Sequence, residues 1–174
     1  LQLVQDHVLP METKPPDKKG RGQVTIRDLV RASLRMRPDR IVVGEIRSGE
    51  ALDMLQAMNT GHSGSMATVH ASSPRQALTR METLALFSGI EIPMRALREQ
   101  VASAIEVIIQ ASRLPDHSRK VVYISEVNPL SESGEYQVTD IFRFQREKMQ
   151  DGKATGSHVW TGNQSMMLEE MELA

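Results

Sequence analysis

Glu45 is the residue whose position most clearly predicts chemistry. It follows the apolar run Ile41-Val-Val43 and Gly44, a pattern typical of a short strand buried on both faces. A carboxylate at the end of such a strand can orient an attacking water and, through water, hold Mg²⁺. A glycine before it lets a ligand or another backbone approach closely. The spacing is also compatible with an acid that is simply paired with Arg40 or Arg47.

A second polar segment contains His62 and His70, with Gly64, Ser65 and Thr68 between them. The residues predict no metal site, because no third ligand lies at a suitable spacing and the chain has no cysteine. Two interpretations of the segment remain open. His70 and Thr68 could sense a nucleotide phosphate through hydrogen bonds, or the histidine could be a structural residue of a loop.

Composition excludes several classes of protein. A chain of 174 residues corresponds to one domain or a large part of one. A net charge of −1 argues against an electrostatic nucleic-acid binder, so no direct nucleic-acid partner is expected. The absence of cysteine rules out a disulfide framework. No apolar run approaches the roughly 20 residues that span a bilayer.

The elements around Glu45 are predicted from capping signals. Thr25 and Asp28 have the spacing of a capping box, and Pro38 should stop the helix that follows. A second helix is expected from Ser48, as its cap, through Thr60, with Gly61 ending it.

The rest of the chain shows strands and two further helices. Leu1 to Thr13 indicates strand and turn, and Met66 to Val69 a short strand. Ser73-Pro-Arg-Gln76 predicts a capped helix to about Phe87. Another helix begins near Pro93. Three strands are then predicted, the last two as a hairpin: 107–111, 120–127 and 136–144. Strand–helix alternation followed by antiparallel strands predicts an α/β sheet with an antiparallel extension.

Residues 35–71, RMRPDRIVVGEIRSGEALDMLQAMNTGHSGSMATVHA, closely resemble secretion-superfamily ATPases of the type II/type IV and pilus class. They look most like the CpaF-type motor of tight-adherence (Flp) pili. The resemblance continues through residues 73–83, 97–103 and 140–144, so that it covers nearly everything except the tail.

The resemblance implies the C-terminal part of a RecA-like P-loop NTPase sheet, with flanking helices and the antiparallel extension. Residues 1–149 would be a partial ATPase domain and residues 150–174 a polar tail, in which 165–173 could form a short helix. No Gly-x-x-x-x-Gly-Lys-Ser/Thr loop occurs in the chain. We therefore expect a downstream piece of an ATPase whose phosphate-binding loop lies upstream of Leu1.

The resemblance also assigns roles to residues. Ile41 to Glu45 would be the Walker B strand, with Gly44 where other NTPases keep an aspartate and with Glu45 as the catalytic carboxylate. Residues 61–70 would be the His box, with His70 as its diagnostic histidine. Arginines that reach the nucleotide are also implied: Arg35 and Arg47 are the candidates, and Arg31 less so. The remaining candidates for nucleotide contact are Gly44, Thr68 and His62.

The implied cofactors are ATP and Mg²⁺. The implied assembly is a hexameric ring in the cytoplasm, peripheral at the inner membrane, which acts on a membrane platform protein to assemble a pilus. Two alternatives remain: a related ATPase of conjugation or effector secretion, and a ring scaffold that does not hydrolyse ATP. A metal hydrolase is a remote third.

Overall fold

The computed structural model describes residues 3–150 and 152–168. The chain divides into two compact units, and each is described by itself. The first consists of Leu1–His70 with Arg80–Pro93, and the second of Ala71–Thr79 with Met94–Ala174.

The first unit is built around a short pair of parallel strands. Strand β1 (Val42–Val43) pairs with β2 (Met66–Ala67), with Val42 opposite Met66 and Val43 opposite Ala67. The helices of this unit are α1 (Ile26–Leu34), α2 (Glu50–Asn59) and the C-terminal part of α3 (Pro74–Leu86). The predicted strands at 41–43 and 66–69 are thus present but shorter. The predicted strand in 1–13 is wrong for its described part, residues 3–13, which contain no strand.

Helix α1 begins where its capping residues predict. The Thr25 hydroxyl accepts the Asp28 N–H at 3.1 Å, and the Asp28 carboxylate accepts the Thr25 N–H at 2.8 Å. This bond from the Thr25 backbone is the main reason why the pKa of Asp28 is lowered. The helix ends at Leu34, before Pro38, and buries Val30.

The predicted cap of α2 is wrong by one residue, since the helix begins at Glu50. The N-cap is Gly49, without a side-chain bond, instead of Ser48. A Cβ on Gly49 would lie 2.7 Å from the Ser88 Cα, so only glycine fits here. The Glu50 carboxylate accepts the N–H groups of Arg47 and Ser48 at 2.7 and 2.9 Å, and so fixes the backbone just before the helix.

An ionic cluster joins α1 to α2. The largely buried carboxylate of Asp53 accepts from Arg27 at 2.7 Å and from Arg31 at 2.8 Å. Arg27 also donates to the Ser88 carbonyl at 3.1 Å. The apolar core of the unit has as its most buried residues Ala51, Leu52, Met54, Leu55, Ala57, Leu84 and Ala85.

The second unit contains the beginning of α3, helix α4 (Met94–Ala104) and a four-stranded antiparallel sheet. Its strands follow one another in chain order: β3 (Val107–Arg113), β4 (Arg119–Asn128), β5 (Gln137–Gln150) and β6 (Lys153–Trp160). The predicted hairpin of β4 and β5 is confirmed. Gly134 in its loop has φ +77°, a conformation that favours glycine.

Strand β6 lies inside the segment predicted as a polar tail, where no strand was expected. A Cβ on Gly156 would collide with the Gln145 carbonyl oxygen and lie 2.8 Å from the Phe144 ring, so the glycine permits close pairing with β5. Of the expected helix at 165–173, residues 166–168 are helical and the rest lies outside the described residues.

Asp116, in the turn between β3 and β4, ties this hairpin to β6. Its carboxylate accepts the Ala154 N–H at 2.7 Å, the Ser118 hydroxyl at 2.7 Å and the Ser118 N–H at 3.1 Å. These bonds, the one from Ala154 above all, lower the pKa of Asp116 to about 2.

We expect Asp116→Asn to lower the free energy of unfolding at neutral pH, because the amide replaces a charged acceptor. Unfolded aspartate has a pKa of about 3.9, above the folded value of about 2. The stabilisation is therefore complete above about pH 5 and is lost as the pH falls towards about 2. Urea titrations of both proteins at several pH values measure the difference. A difference that stays constant down to about pH 2 would contradict this account.

Candidate active site

The candidate site lies where the two parallel strands of the first unit end. Glu45 follows β1 by two residues, and His70 follows β2 by three. Because parallel strands end at the same edge of a sheet, the two residues emerge side by side. Ligands of α/β folds bind at such carboxyl ends.

The Glu45 carboxylate bridges two donors. One oxygen lies 2.9 Å from the His70 Nε2, and the other is paired with the Arg47 guanidinium. The Glu45 side chain is 24% exposed, whereas those of His70 and Arg47 are 91% and 74% exposed. The carboxylate is therefore partly enclosed, and both partners lie where an incoming ligand can reach them.

The hydrogen bond and charge of Arg47, supported by His70, hold the pKa of Glu45 below its usual range, although burial opposes them. Glu45 in turn raises the pKa of Arg47. Glu45 is therefore an ionised hydrogen-bond acceptor at neutral pH. The choice between Arg40 and Arg47 as its partner is also settled in favour of Arg47. Arg40 lies against Gly64, where an added Cβ would be 2.8 Å from its Nε.

Thr68 fixes the backbone on both sides of Glu45. Its hydroxyl donates to the Gly44 carbonyl at 2.5 Å, and its own carbonyl accepts the Ile46 N–H at 2.9 Å. This double contact was not predicted from the sequence. The signal was the i, i+2 spacing of Thr68 and His70, which places both side chains on one face of an extended segment.

His62 lies at the C-terminal end of α2. Its ring Nδ1 is 3.2 Å from the Ala57 carbonyl oxygen, and its N–H donates to the same oxygen at 3.3 Å. The Ser65 hydroxyl donates to the His62 carbonyl at 2.7 Å and accepts the Ile41 N–H at 3.0 Å. His62 and Ser65 thus connect the start of β1 to the end of α2.

The predicted arginines differ in their surroundings. Arg47 contacts Glu45 directly. Arg35 is the exposed C-cap residue of α1, and its N–H donates to the Ala32 carbonyl at 3.1 Å. The guanidinium of Arg31 is held by Asp53. In the described part of the chain, no group of three or more histidine, aspartate or glutamate side chains is arranged to hold a metal ion.

Residues 2–161 match the type II/IV secretion system protein family. The chain belongs to this family. The family's "Putative conjugal transfer protein" of Mycobacterium tuberculosis H37Rv is 37% identical over 148 residues, which are 85% of this chain and 41% of that protein. Protein VirB11 of Agrobacterium fabrum is 39% identical over 114 residues, 63% of this chain and 33% of that protein.

A solved structure supports the fold. The crystal structure of the VirB11 ATPase from the Brucella suis type IV secretion system, in complex with sulphate, matches with a TM-score of 0.56 and 29% identity. It covers 59% of this chain and 32% of that one. The predicted α/β, RecA-like fold is therefore confirmed.

The chain spans 41% or less of the length of the relatives named here. Among its described residues, no helix is both long and apolar enough to cross a bilayer.

We expect Arg47→Gln to raise the pKa of Glu45 towards its usual range, because the main cause of the lowering is removed. His70→Ala should raise the pKa less, since its contribution ranks below that of Arg47. Carbon-13 NMR titration of labelled glutamate side chains measures the change. Arg40→Gln is the matched control, since this arginine faces Gly64. An equal change of the Glu45 pKa in Arg40→Gln would contradict a specific contact with Arg47, because loss of any nearby positive charge would then explain it.

Proposed function

We propose that this chain carries the hydrolytic carboxylate of an ATP-driven motor of a type II/IV secretion or pilus-assembly system. The observation that supports it most is the ionised Glu45 at the carboxyl end of paired parallel strands, between Arg47 and His70. In P-loop NTPases, catalysis depends on positioning a water and neutralising phosphate charge. Glu45 supplies the acceptor for such a water, and its neighbours supply cationic and imidazole donors.

In this proposal the nucleotide changes the partners of Glu45. A γ-phosphate that reaches the exposed donors competes with the carboxylate for Arg47 and His70. Once these donors turn to the phosphate, a Glu45 oxygen is released to orient the attacking water. The exposed Arg35, at the end of α1, is the candidate to reach a neighbouring subunit's nucleotide, where a cation stabilises phosphoryl-transfer charge.

The donor set fits the phosphate end of ATP with Mg²⁺. The carboxylate of Glu45 can hold the ion through water, and Arg47 and His70 suit the phosphate oxygens. We retain Gly44 and His62 as candidate contacts on the nucleotide side. Bound ATP and Mg²⁺ would supply the reactive phosphoanhydride and neutralise its charge.

We further propose that the motor is a hexameric ring in the cytoplasm, peripheral at the inner membrane and acting on a platform protein. The sequence resemblance to CpaF-type motors supports pilus assembly as its task. The names of its relatives, which include conjugal transfer and type IV secretion proteins, support a second candidate: transport of DNA or effector proteins. Deleting the gene and scoring both surface pili and conjugation separates the two candidates.

The central test concerns Glu45 in the parent motor, by which we mean the proposed longer protein that joins this chain to a phosphate-binding loop. Glu45→Gln should keep ATP affinity and lower turnover by about 10²–10⁴-fold, because an amide cannot accept the proton of water as a carboxylate does. Steady-state ATPase assays and nucleotide titration measure the two quantities.

Glu135→Gln is the matched control, since this glutamate lies in the β4–β5 loop of the second unit and pairs with Arg75. It should leave turnover unchanged. Near-normal turnover in Glu45→Gln would refute the assignment of this residue. A parent motor that assembles rings but hydrolyses no ATP would instead support the scaffold alternative.

Residues 1–174 alone should show no measurable ATPase activity and very weak nucleotide affinity. Phosphate binding in this class depends on the backbone N–H groups and lysine of a loop that the sequence does not contain. Calorimetric titration with a non-hydrolysable ATP analogue measures the affinity. Micromolar binding would reveal an anion site other than the one proposed.

The same chain should also self-associate. Val4, Leu9 and Phe87 are large apolar residues with 95%, 63% and 62% of their surfaces exposed, and exposed apolar surface promotes association. Light scattering during the titration measures this. A monodisperse monomer would contradict the expectation.

A further inference from the structure

Thr68 makes two hydrogen bonds that enclose Glu45. Its hydroxyl holds the carbonyl of Gly44, the residue before Glu45, at 2.5 Å. Its carbonyl accepts the N–H of Ile46, the residue after Glu45, at 2.9 Å. One residue of the neighbouring segment therefore fixes the peptide groups on both sides of the carboxylate-bearing residue.

A third contact from the same segment reaches the side chain of Glu45. His70, two residues after Thr68, lies 2.9 Å from a carboxylate oxygen. The other end of β1 is held by different groups: the Met66 N–H donates to the Ile41 carbonyl at 2.9 Å, and Ser65 accepts the Ile41 N–H at 3.0 Å. Residues 68–70 thus hold Glu45 at three points, independently of the contacts at the start of the strand.

We propose that Thr68 is a positioning residue, whose hydroxyl fixes the backbone of Glu45 so that its carboxylate meets the attacking water. The inference rests on the proposed function and assigns Thr68 a role through Glu45, where the sequence predicted a nucleotide contact. It also links the two parts of the site. His70 can leave the Glu45 carboxylate for a nucleotide phosphate while Thr68 continues to hold the Glu45 backbone.

The role of the hydroxyl should appear in turnover more than in stability. Thr68 and Gly44 are exposed, so water replaces the lost hydrogen bond at little cost to the fold. A displacement of about 1 Å at a reacting group, in contrast, can lower a rate by about 100-fold. When the Thr68 hydroxyl is removed, the Gly44 carbonyl loses its hydrogen bond, and the backbone that carries the Glu45 side chain becomes less rigid.

The first experiment measures backbone order in the parent motor without nucleotide. Thr68→Val keeps the shape of the side chain but removes the donor, and Thr68→Ser retains the donor. Amide hydrogen exchange of the peptide containing Gly44 to Ile46 should become several-fold faster in the valine variant and stay near wild type in the serine variant. The matched control is Thr60→Val, whose hydroxyl donates to the Gln56 carbonyl at 2.7 Å, at the end of α2.

The second experiment is a double-mutant cycle on turnover. Thr68→Val should lower kcat about tenfold with little change in KM, and should have no further effect in a Glu45→Gln background, because Thr68 acts through that carboxylate. Thr60→Val should leave both parameters unchanged.

The outcomes distinguish the catalytic role of Glu45 from the positioning role of Thr68. Normal turnover in Glu45→Gln refutes the proposed function itself. If Glu45→Gln is impaired but Thr68→Val lowers kcat equally in both backgrounds, only the positioning role is overturned. Unchanged hydrogen exchange in Thr68→Val overturns it as well, and an increase in KM without loss of kcat would return Thr68 to direct contact with the nucleotide.

Discussion

The parallel pairing of β1 with β2 is the constraint on which the candidate site depends. Two residues from each strand set the register, and the bonds of Thr68 extend it past Glu45. Glu45 and His70 are far apart along the chain, and the pairing of β1 with β2 brings them together in space. Helix α2 is connected to both strands: Glu50 at its start accepts the Arg47 N–H after β1, and the Ala57 carbonyl near its end contacts His62 before β2.

Without a ligand, the site is dominated by the contacts of the Glu45 carboxylate with Arg47 and His70. The Arg47 contact lowers the pKa of Glu45, and it occupies a carboxylate oxygen that the proposed mechanism needs for water. Both partners of the carboxylate are far more exposed than the carboxylate itself. An anion from solvent therefore reaches the donors before it reaches Glu45. In the proposed mechanism, this arrangement would couple the arrival of phosphate to the release of the Glu45 acceptor and so limit hydrolysis in its absence.

Local signals predicted local structure well. The Thr25–Asp28 capping box lies within four residues and needs no tertiary information, so its helix begins as predicted. The strand before Glu45 was likewise predicted from a local signal, its run Ile41-Val-Val43, although the strand observed is shorter, Val42–Val43. The requirement for glycine at position 49 could not be predicted, because it comes from a distant residue, Ser88, that excludes a side chain there. Likewise the strand around Gly156 was missed, since its glycine is explained only by the β5 backbone beside it. Spacing alone could not choose between Arg40 and Arg47 as the partner of Glu45. Arg40 lies against Gly64, a residue distant along the chain, and only the folded structure shows this contact.

The most direct measurement is a structure of the parent motor with ADP, Mg²⁺ and a fluoride analogue of the transferred phosphoryl group. The account predicts a Glu45 carboxylate oxygen within hydrogen-bond reach, about 2.6–3.2 Å, of the water in line with the analogue. Arg47 or His70 should by then have left Glu45 for the analogue, and Thr68 should still hold Gly44 and Ile46. A water oriented by another acidic residue, with Glu45 still paired to Arg47 and His70, would contradict the account.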